Sequence, residues 1–196
     1  MWDERYRAGH YIYGTEPNDF LRREASRLAP GRVLCLAEGE GRNAVFLAGL
    51  GHQVTAVDQS AVGLAKAQQL AAQRGVSITT LCCDLSDYDP GTAQWDAIVS
   101  IFCHLPPALR RLVHGRVVEA LKPGGLLLLE AYTPAQLAFA TGGPPQAEMM
   151  MDSRSLAEEL AGLDLVYLQE LQRDVVEGSH HTGRGAVVQL VAQKPL

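Results

Sequence analysis

The sequence predicts an α/β domain with a mostly parallel sheet and helices on both of its faces. Three observations lead there. Residues 33–47, VLCLAEGEGRNAVFL, pass from a four-residue apolar run through two alternate glycines into a helix-period pattern. Beyond them, short apolar runs alternate with helix-like stretches, as expected of successive βα units. Near the C-terminal end, two long strand-like runs follow one another with no helix between them. Strands joined that way must pair antiparallel or cross the sheet, so an antiparallel strand is expected near that end.

Taken in order, Met1 to Asn18 is rich in aromatics (Trp2, Tyr6, Tyr11 and Tyr13) and carries the turn-prone GTEPN. Asp19–Leu28 reads as a short helix stopped by Pro30 and Gly31. Arg32–Leu36 is the first strand, and its apolar stretch Val33–Leu36 is short enough to be buried. Arg42–Leu50 is a helix with Ala44, Leu47 and Ala48 on one face. Gln53–Val57 reads as strand, Ala61–Arg74 as helix and Ile78–Cys82 as strand. Trp95–Ile101 follows as strand, Pro107–Leu121 as helix and Gly125–Ala131 as strand. A loop rich in Gly and Pro, Tyr132–Asp152, leads to a helix at Ser153–Leu160, and its EMMMD run, Glu148 to Asp152, reads as packing where that helix begins. Asp164–Val176 and Gly185–Gln193 are the two final strands.

With 196 residues, 47% of them hydrophobic, the chain suits one well-buried domain and is short for two. Its formal charge of −5 and its scattered basic residues argue against nucleic acid as a partner, since phosphate backbones are bound by concentrated Lys and Arg. Leu126 to Leu129 is only one strand long, far short of a membrane span. The opening WDERYR has no apolar core of the kind a signal peptide needs. Cys35, Cys82, Cys83 and Cys103 fall in or beside strand-like runs and read as buried reduced thiols, so a cytoplasmic location is expected. No spaced Cys or Asp completes a metal site with His180 and His181, and no metal is expected. No feature of the sequence speaks to oligomeric state.

The chemistry gathers at the C-terminal ends of the predicted strands. Ala37, Gly39 and Gly41 form a turn that must enter backbone space closed to most residues and that lets a nucleoside lie against the N-terminus of the next helix. Asp58 ends the second strand about twenty residues on, where a carboxylate can accept from both hydroxyls of a ribose. Asp84 follows the third strand, where it could meet an adenine amino group. The bland alternative is that each aspartate caps the turn or helix that follows it.

These elements together resemble the class I S-adenosylmethionine-dependent methyltransferases. The resemblance is carried by VLCLAEGEG, VTAVD, LCCDL, WDAIVSIFCHLP and LKPGGLLLLE, over roughly residues 32 to 131, and continues into the final strand pair. Within that class the chain is most similar to the small tellurite-resistance-type methyltransferases, through YGTEPNDFL, GEGRNAVFLA and EGSHHTGRGAVVQLVAQ. The resemblance implies a three-layer αβα Rossmann-like fold whose seven-stranded sheet is mostly parallel with a reversed last strand. It implies one domain over 1–196, with residues 1–30 as an N-terminal lid and helix in which Trp2, Tyr11 and Tyr13 close over the cofactor. It also implies S-adenosylmethionine as cofactor and a small-molecule methyl acceptor, such as a thiol or a tellurium or selenium oxyanion.

On that reading the cofactor meets Tyr13, Ala37, Glu38, Gly39, Arg42, Asn43, Asp58, Gln59, Ser60, Asp84, Leu85 and Phe102. The amino-acid end lies at the glycine turn near Arg42, the ribose at Asp58, and the adenine between Gln59 and Leu85 beside Asp84. Phe102 and His104 face the transferred methyl. His104 and His181 are the candidate bases, and Arg184 could hold an anionic acceptor. The structural alternative makes His104 a strand-end packing residue and Ser179–Arg184 a solvated turn.

Two departures from the pattern stand out. Cys35 replaces the acid that usually ends the first strand, leaving Glu38 or Glu40 to substitute, and Ala37 replaces the first glycine. Two rival functions remain open at this point. Gly39-x-Gly41-x-x-Ala44 also matches a dinucleotide fingerprint, as in an NAD(P)-dependent oxidoreductase. Against it stand the missing substrate domain, the missing Tyr-x-x-x-Lys dyad and the final strand pair. The other rival is a sensor that holds S-adenosylmethionine and transfers nothing.

Overall fold

The computed structural model describes residues 2–179 and 181–196. A short helix α1 (Trp2–Tyr6) precedes α2 (Asp19–Glu24), which tightens into a 3-10 turn at Ala25–Arg27. There follow β1 (Arg32–Leu36), α3 (Arg42–Gly49), β2 (Gln53–Asp58), α4 (Ala61–Gln73), β3 (Thr79–Cys82), β4 (Trp95–Ile101), α5 (Pro107–Ala120) and β5 (Leu121–Tyr132). After a loop with two 3-10 turns come α6 (Ser153–Glu159), β6 (Asp164–Glu177) and β7 (His181–Gln193).

The seven strands form one sheet in the order β3-β2-β1-β4-β5-β7-β6. β1 to β5 pair parallel, while β7 lies antiparallel between β5 and β6. The reversed strand is therefore the last one, as the resemblance implied.

Alternation along the strands builds the two faces. In β1, Val33 and Cys35 pack against α2, α3 and α4 through Leu21, Leu47, Leu64 and Leu70. Leu34 and Leu36 point the other way, to Val113 and Val117 of α5 and Leu156 of α6. Local chemistry starts the helices where the sequence suggests. The Asn18 side chain accepts from Leu21 N, Ser60 Oγ accepts from Gly63 N, and Asp152 and Ser155 form a reciprocal cap on α6.

Several expectations are corrected. The helix expected over Asp19–Leu28 is α-helical only to Glu24, and α1 had no expectation at all. β5 begins at Leu121, directly from α5, because Leu121 already pairs with Trp95; the register then shifts across Lys122–Gly125, where Gly124 is left-handed at φ +78°, before Leu126 pairs with Ala97. The final strands are longer than expected: β6 reaches Glu177 and β7 starts at His181, so most of the segment read as a turn at Ser179–Arg184 is strand. Cys35 and Cys103 are buried, but Cys82 is exposed and Cys83 half-buried. The reason is position: β3 is a four-residue edge strand with little covering it. The expectation for His180 lies outside the described residues. No helix among the described residues is long and apolar enough to cross a membrane.

Candidate active site

Three residues on the turn after β1 have left-handed backbone: Ala37 at φ +49°, Gly39 at +62° and Gly41 at +90°. At Gly41 a Cβ would fall 2.4 Å from the Ala67 Cβ, so only glycine lets α3 start this close to α4. At Gly39 it would fall 2.5 Å from the Tyr6 hydroxyl. The turn is thus tight from below and covered from above.

Glu38 organises it. Its Oε1 accepts from the N–H groups of Asn43 (2.9 Å) and Ala44 (2.7 Å) at the start of α3. Burial outweighs those bonds and the nearby Arg42 charge, and raises the carboxyl to about 7. Glu38 points into the protein toward Cys35, whose thiol burial pushes well above its ordinary range, with the Glu38 charge adding to the effect. Glu40 turns the other way. Its Oε2 accepts from Ile12 N (2.8 Å), and its Oε1 pairs with Lys66 Nζ (2.5 Å).

Asp58 is buried at the end of β2, and its two oxygens accept from Gly39 N and Ser60 N, each at 2.8 Å. Burial raises its carboxyl above the usual aspartate range, against the pull of those bonds. Ser60 also donates through Oγ to Asp3 of α1. Asp84 is exposed and accepts from Ser86 N at 2.8 Å, closing its own turn. Gln59 is exposed beside it and Leu85 is buried.

The N-terminal segment lies across this edge. Tyr6 is buried against Gly39 and Gly63, and burial followed by the Asp58 charge pushes its hydroxyl far above the ordinary range. Trp2 stacks on it at 5.7 Å. Of the aromatics named from sequence, Tyr13 approaches the His181 ring at 4.6 Å. Tyr11 packs instead beside α4 and donates to Lys66 O at 3.1 Å.

The ends of β4, β5 and β7 bring further rings together. Phe102, at φ +52°, stacks on Tyr132 at 4.6 Å and meets His181 edge-on at 4.9 Å. His104 Nε2 accepts from Tyr132 N at 3.0 Å, so the ring is neutral, and burial lowers its pKa to about 4. Arg184 is half-exposed with Nη1 3.6 Å from Asp174 on the neighbouring strand, outside this ring cluster.

A buried charged network joins the glycine turn to β6. Arg42 Nη2 lies 2.5 Å from Glu177 Oε2, while Arg42 Nη1 has no partner. Arg173 pairs with Glu130 and Glu177, and Asn18 Nδ2 donates to both carboxylates at 2.9 and 2.8 Å. Asn18 N also donates to Asn43 Oδ1 at 2.9 Å. The residues Tyr6, Asn18, Tyr132, Glu130 and Glu177 were absent from the sequence-based site. One of them carried a readable signal: Glu130 ends the apolar run LLLLE as Asp58 ends VTAV.

Residues 33–125 match the family described as a methyltransferase domain. No curated protein matches the chain by sequence. Among solved structures, a protein from the conversion of a disulfide bond into a thioacetal group during echinomycin biosynthesis superposes with a TM-score of 0.78. It is 20% identical over 99% of this chain and 90% of its own. TehB from Haemophilus influenzae gives 0.76 at 20% identity over 92% of this chain, which spans 63% of TehB. N-methyltransferase NodS from Bradyrhizobium japonicum WM9, in complex with S-adenosyl-L-homocysteine, gives 0.69 at 18% identity over 98% and 96% of the two chains. At these identities the structures show a shared fold. Residues 33–125 are thus similar to a methyltransferase domain, and the whole chain has the seven-stranded fold of these neighbours.

Proposed function

We propose that this chain transfers a methyl group from S-adenosylmethionine to a small soft acceptor, a thiol or a tellurium or selenium oxyanion. The observation that carries the reading is the convergence of a left-handed turn, the α3 N-terminus and the Asp58 carboxylate at one sheet edge. The residues fit an adenosyl amino acid. Arg42 keeps a buried donor without a partner, and each Asp58 oxygen, holding one backbone N–H, retains capacity for a ribose hydroxyl. Gln59, Asp84 and Leu85 flank the adenine position.

Bound there, the cofactor supplies a methyl on a positively charged sulfur. The chain's own work is alignment and the exclusion of water, which provide most of the acceleration in such a displacement. Phe102, Tyr132 and His181 wall the place where the methyl would leave. The His104 lone pair is taken by Tyr132 N–H, so His104 holds β4 to β5 and is no base in this arrangement. A soft acceptor that arrives ionised needs none. The sulfur chemistry of the echinomycin protein, on the same fold, favours the same acceptor class. An NAD(P)-dependent role is disfavoured by β7 lying reversed inside the sheet.

The test is isothermal titration with S-adenosylmethionine, S-adenosylhomocysteine and NADH. Wild-type protein is expected to bind both sulfur nucleosides at micromolar concentrations and to ignore NADH. Asp58→Ala should weaken both by roughly tenfold or more, since hydrogen bonds to a charged group are lost. Binding of NADH without the sulfur nucleosides would overturn the proposal.

A further inference from the structure

We propose that Glu177, at the end of β6, is a positioning residue that holds the Arg42 guanidinium so that its unpartnered Nη1 receives the cofactor's carboxylate. The inference rests on the cofactor reading above and extends it to a strand far from the glycine turn in sequence.

Arg42 is the first residue of α3, immediately after the left-handed Gly41. Its side chain is only 8% exposed, and its Nη1 is sealed from solvent with no hydrogen-bond partner. A buried guanidinium N–H left unpaired is costly, so the arrangement calls for a further acceptor, and an anionic one makes the strongest bond. Glu177 cannot itself supply the second acceptor. Its Oε2 takes Arg42 Nη2, and its Oε1 takes Asn18 Nδ2 at 2.8 Å and Arg173 Nη2 at 3.1 Å. Held by three donors, the carboxylate has one orientation.

The layer beneath fixes those donors in turn. Glu130 is fully buried and accepts from Asn18, Arg173 and Gln189. Asn18 is anchored separately by its backbone N–H on Asn43 and by its cap on α2. Two carboxylates, Glu130 and Glu177, face two guanidiniums, Arg42 and Arg173, so the set is neutral before a ligand arrives. Burial alone would raise the Glu177 carboxyl, but Arg42 and Arg173 hold it below its ordinary value, and it remains ionised near neutral pH. Arg42 is therefore fixed by one carboxylate and free to bind a second, a geometry suited to a fork-like guanidinium.

The test compares two nucleosides that differ in the amino-acid end. S-adenosylhomocysteine has the carboxylate; 5′-methylthioadenosine lacks the whole amino-acid part. Isothermal titration on wild type, Glu177→Gln, Arg42→Gln and the double variant reads the effect without turnover. Each single variant should lose about tenfold or more for S-adenosylhomocysteine while keeping its affinity for 5′-methylthioadenosine. The double variant should lose little beyond Arg42→Gln, because Glu177 acts through Arg42. If Glu177→Gln fails to fold, Arg42→Gln must still show the selective loss. Equal losses for both nucleosides, or none, would overturn the inference while leaving the cofactor reading intact. Wild-type protein that binds neither nucleoside overturns both.

Discussion

The Glu38 carboxyl accepts the Asn43 and Ala44 N–H groups in a place shut off from water. Its titration is displaced upward to about 7 by burial. The unfolded chain then ionises at lower pH than the native one, so between about 4.5 and 7 the native state binds more protons. The stability contributed by Glu38 is full below about 4.5 and is lost as pH rises through 7. Glu38→Gln keeps an acceptor and removes the titration. Urea denaturation should therefore show the variant gaining on wild type between pH 4.5 and 7.5, by on the order of 3 kcal/mol. An unchanged difference across that range would refute the displaced titration. Asp58 was legible as a strand-end acid; Glu38 was legible as one of two substitutes and was also expected at the cofactor, whereas its carboxylate turns inward to the Asn43 and Ala44 N–H groups. Its rival Glu40 turns to the N-terminal segment instead, a choice made by which side chain can reach the α3 N-terminus.

Elements are joined by contacts of two kinds. Between α3 and α4 the join is steric, since Gly41 lies against Ala67 with no room for a methyl group. Gly41→Ala adds that clash to an unfavourable φ and should cost about 3 kcal/mol in urea denaturation. Between α5, α6 and the loop before α6 the join is ionic. Arg110 of α5 pairs with Glu159 of α6 at 2.8 Å and donates to the carbonyls of Glu148 and Met150. Burial would raise Glu159, but His114 and Arg110 together hold it at about 2. That stabilisation is present above about 4.5 and is lost as pH falls through 2. Arg110→Ala leaves the carboxylate buried with one partner fewer, and should lower stability at pH 7 by about 3 kcal/mol. The EMMMD run packs at the start of α6, with Met150 and Met151 buried. The role of Arg110 could not be read from sequence, since its partners lie about forty to fifty residues away.

At the scale of the whole molecule, the first and last segments meet over the glycine turn. Ile12 O accepts from Ser179 N, Glu40 accepts from Ile12 N, and Asp3 accepts from Ser60 Oγ. Tyr6 lies against Gly39 in the same segment, and the expected consequence is that the segment slows a nucleoside's access to Asp58. Asp3→Ala removes one of its ties without touching the turn. Stopped-flow binding of S-adenosylhomocysteine should then show association severalfold faster than wild type, with urea stability little changed; equal association rates would mean the segment does not gate access.

The sequence by itself determined the parts that depend on near neighbours. Strand period, helix period and the glycine turn led to the parallel βα units, and the strand pair without an intervening helix led to the reversed β7. Strand-end acids are legible for the same reason, because the end of a parallel strand points to the ligand-binding edge whatever the rest of the chain does. Tertiary structure alone decided which distant groups share that edge. Arg42 and Glu177 are 135 residues apart and meet only because β6 pairs with β7, which is inserted beside β5. Tyr6 reaches Gly39 only because α1 folds back onto α4, and Arg184 faces Asp174 because of the β6–β7 register. Pattern in a sequence encodes burial along one element; register between elements is a sum over many weak contacts, and it exists only once the chain is packed.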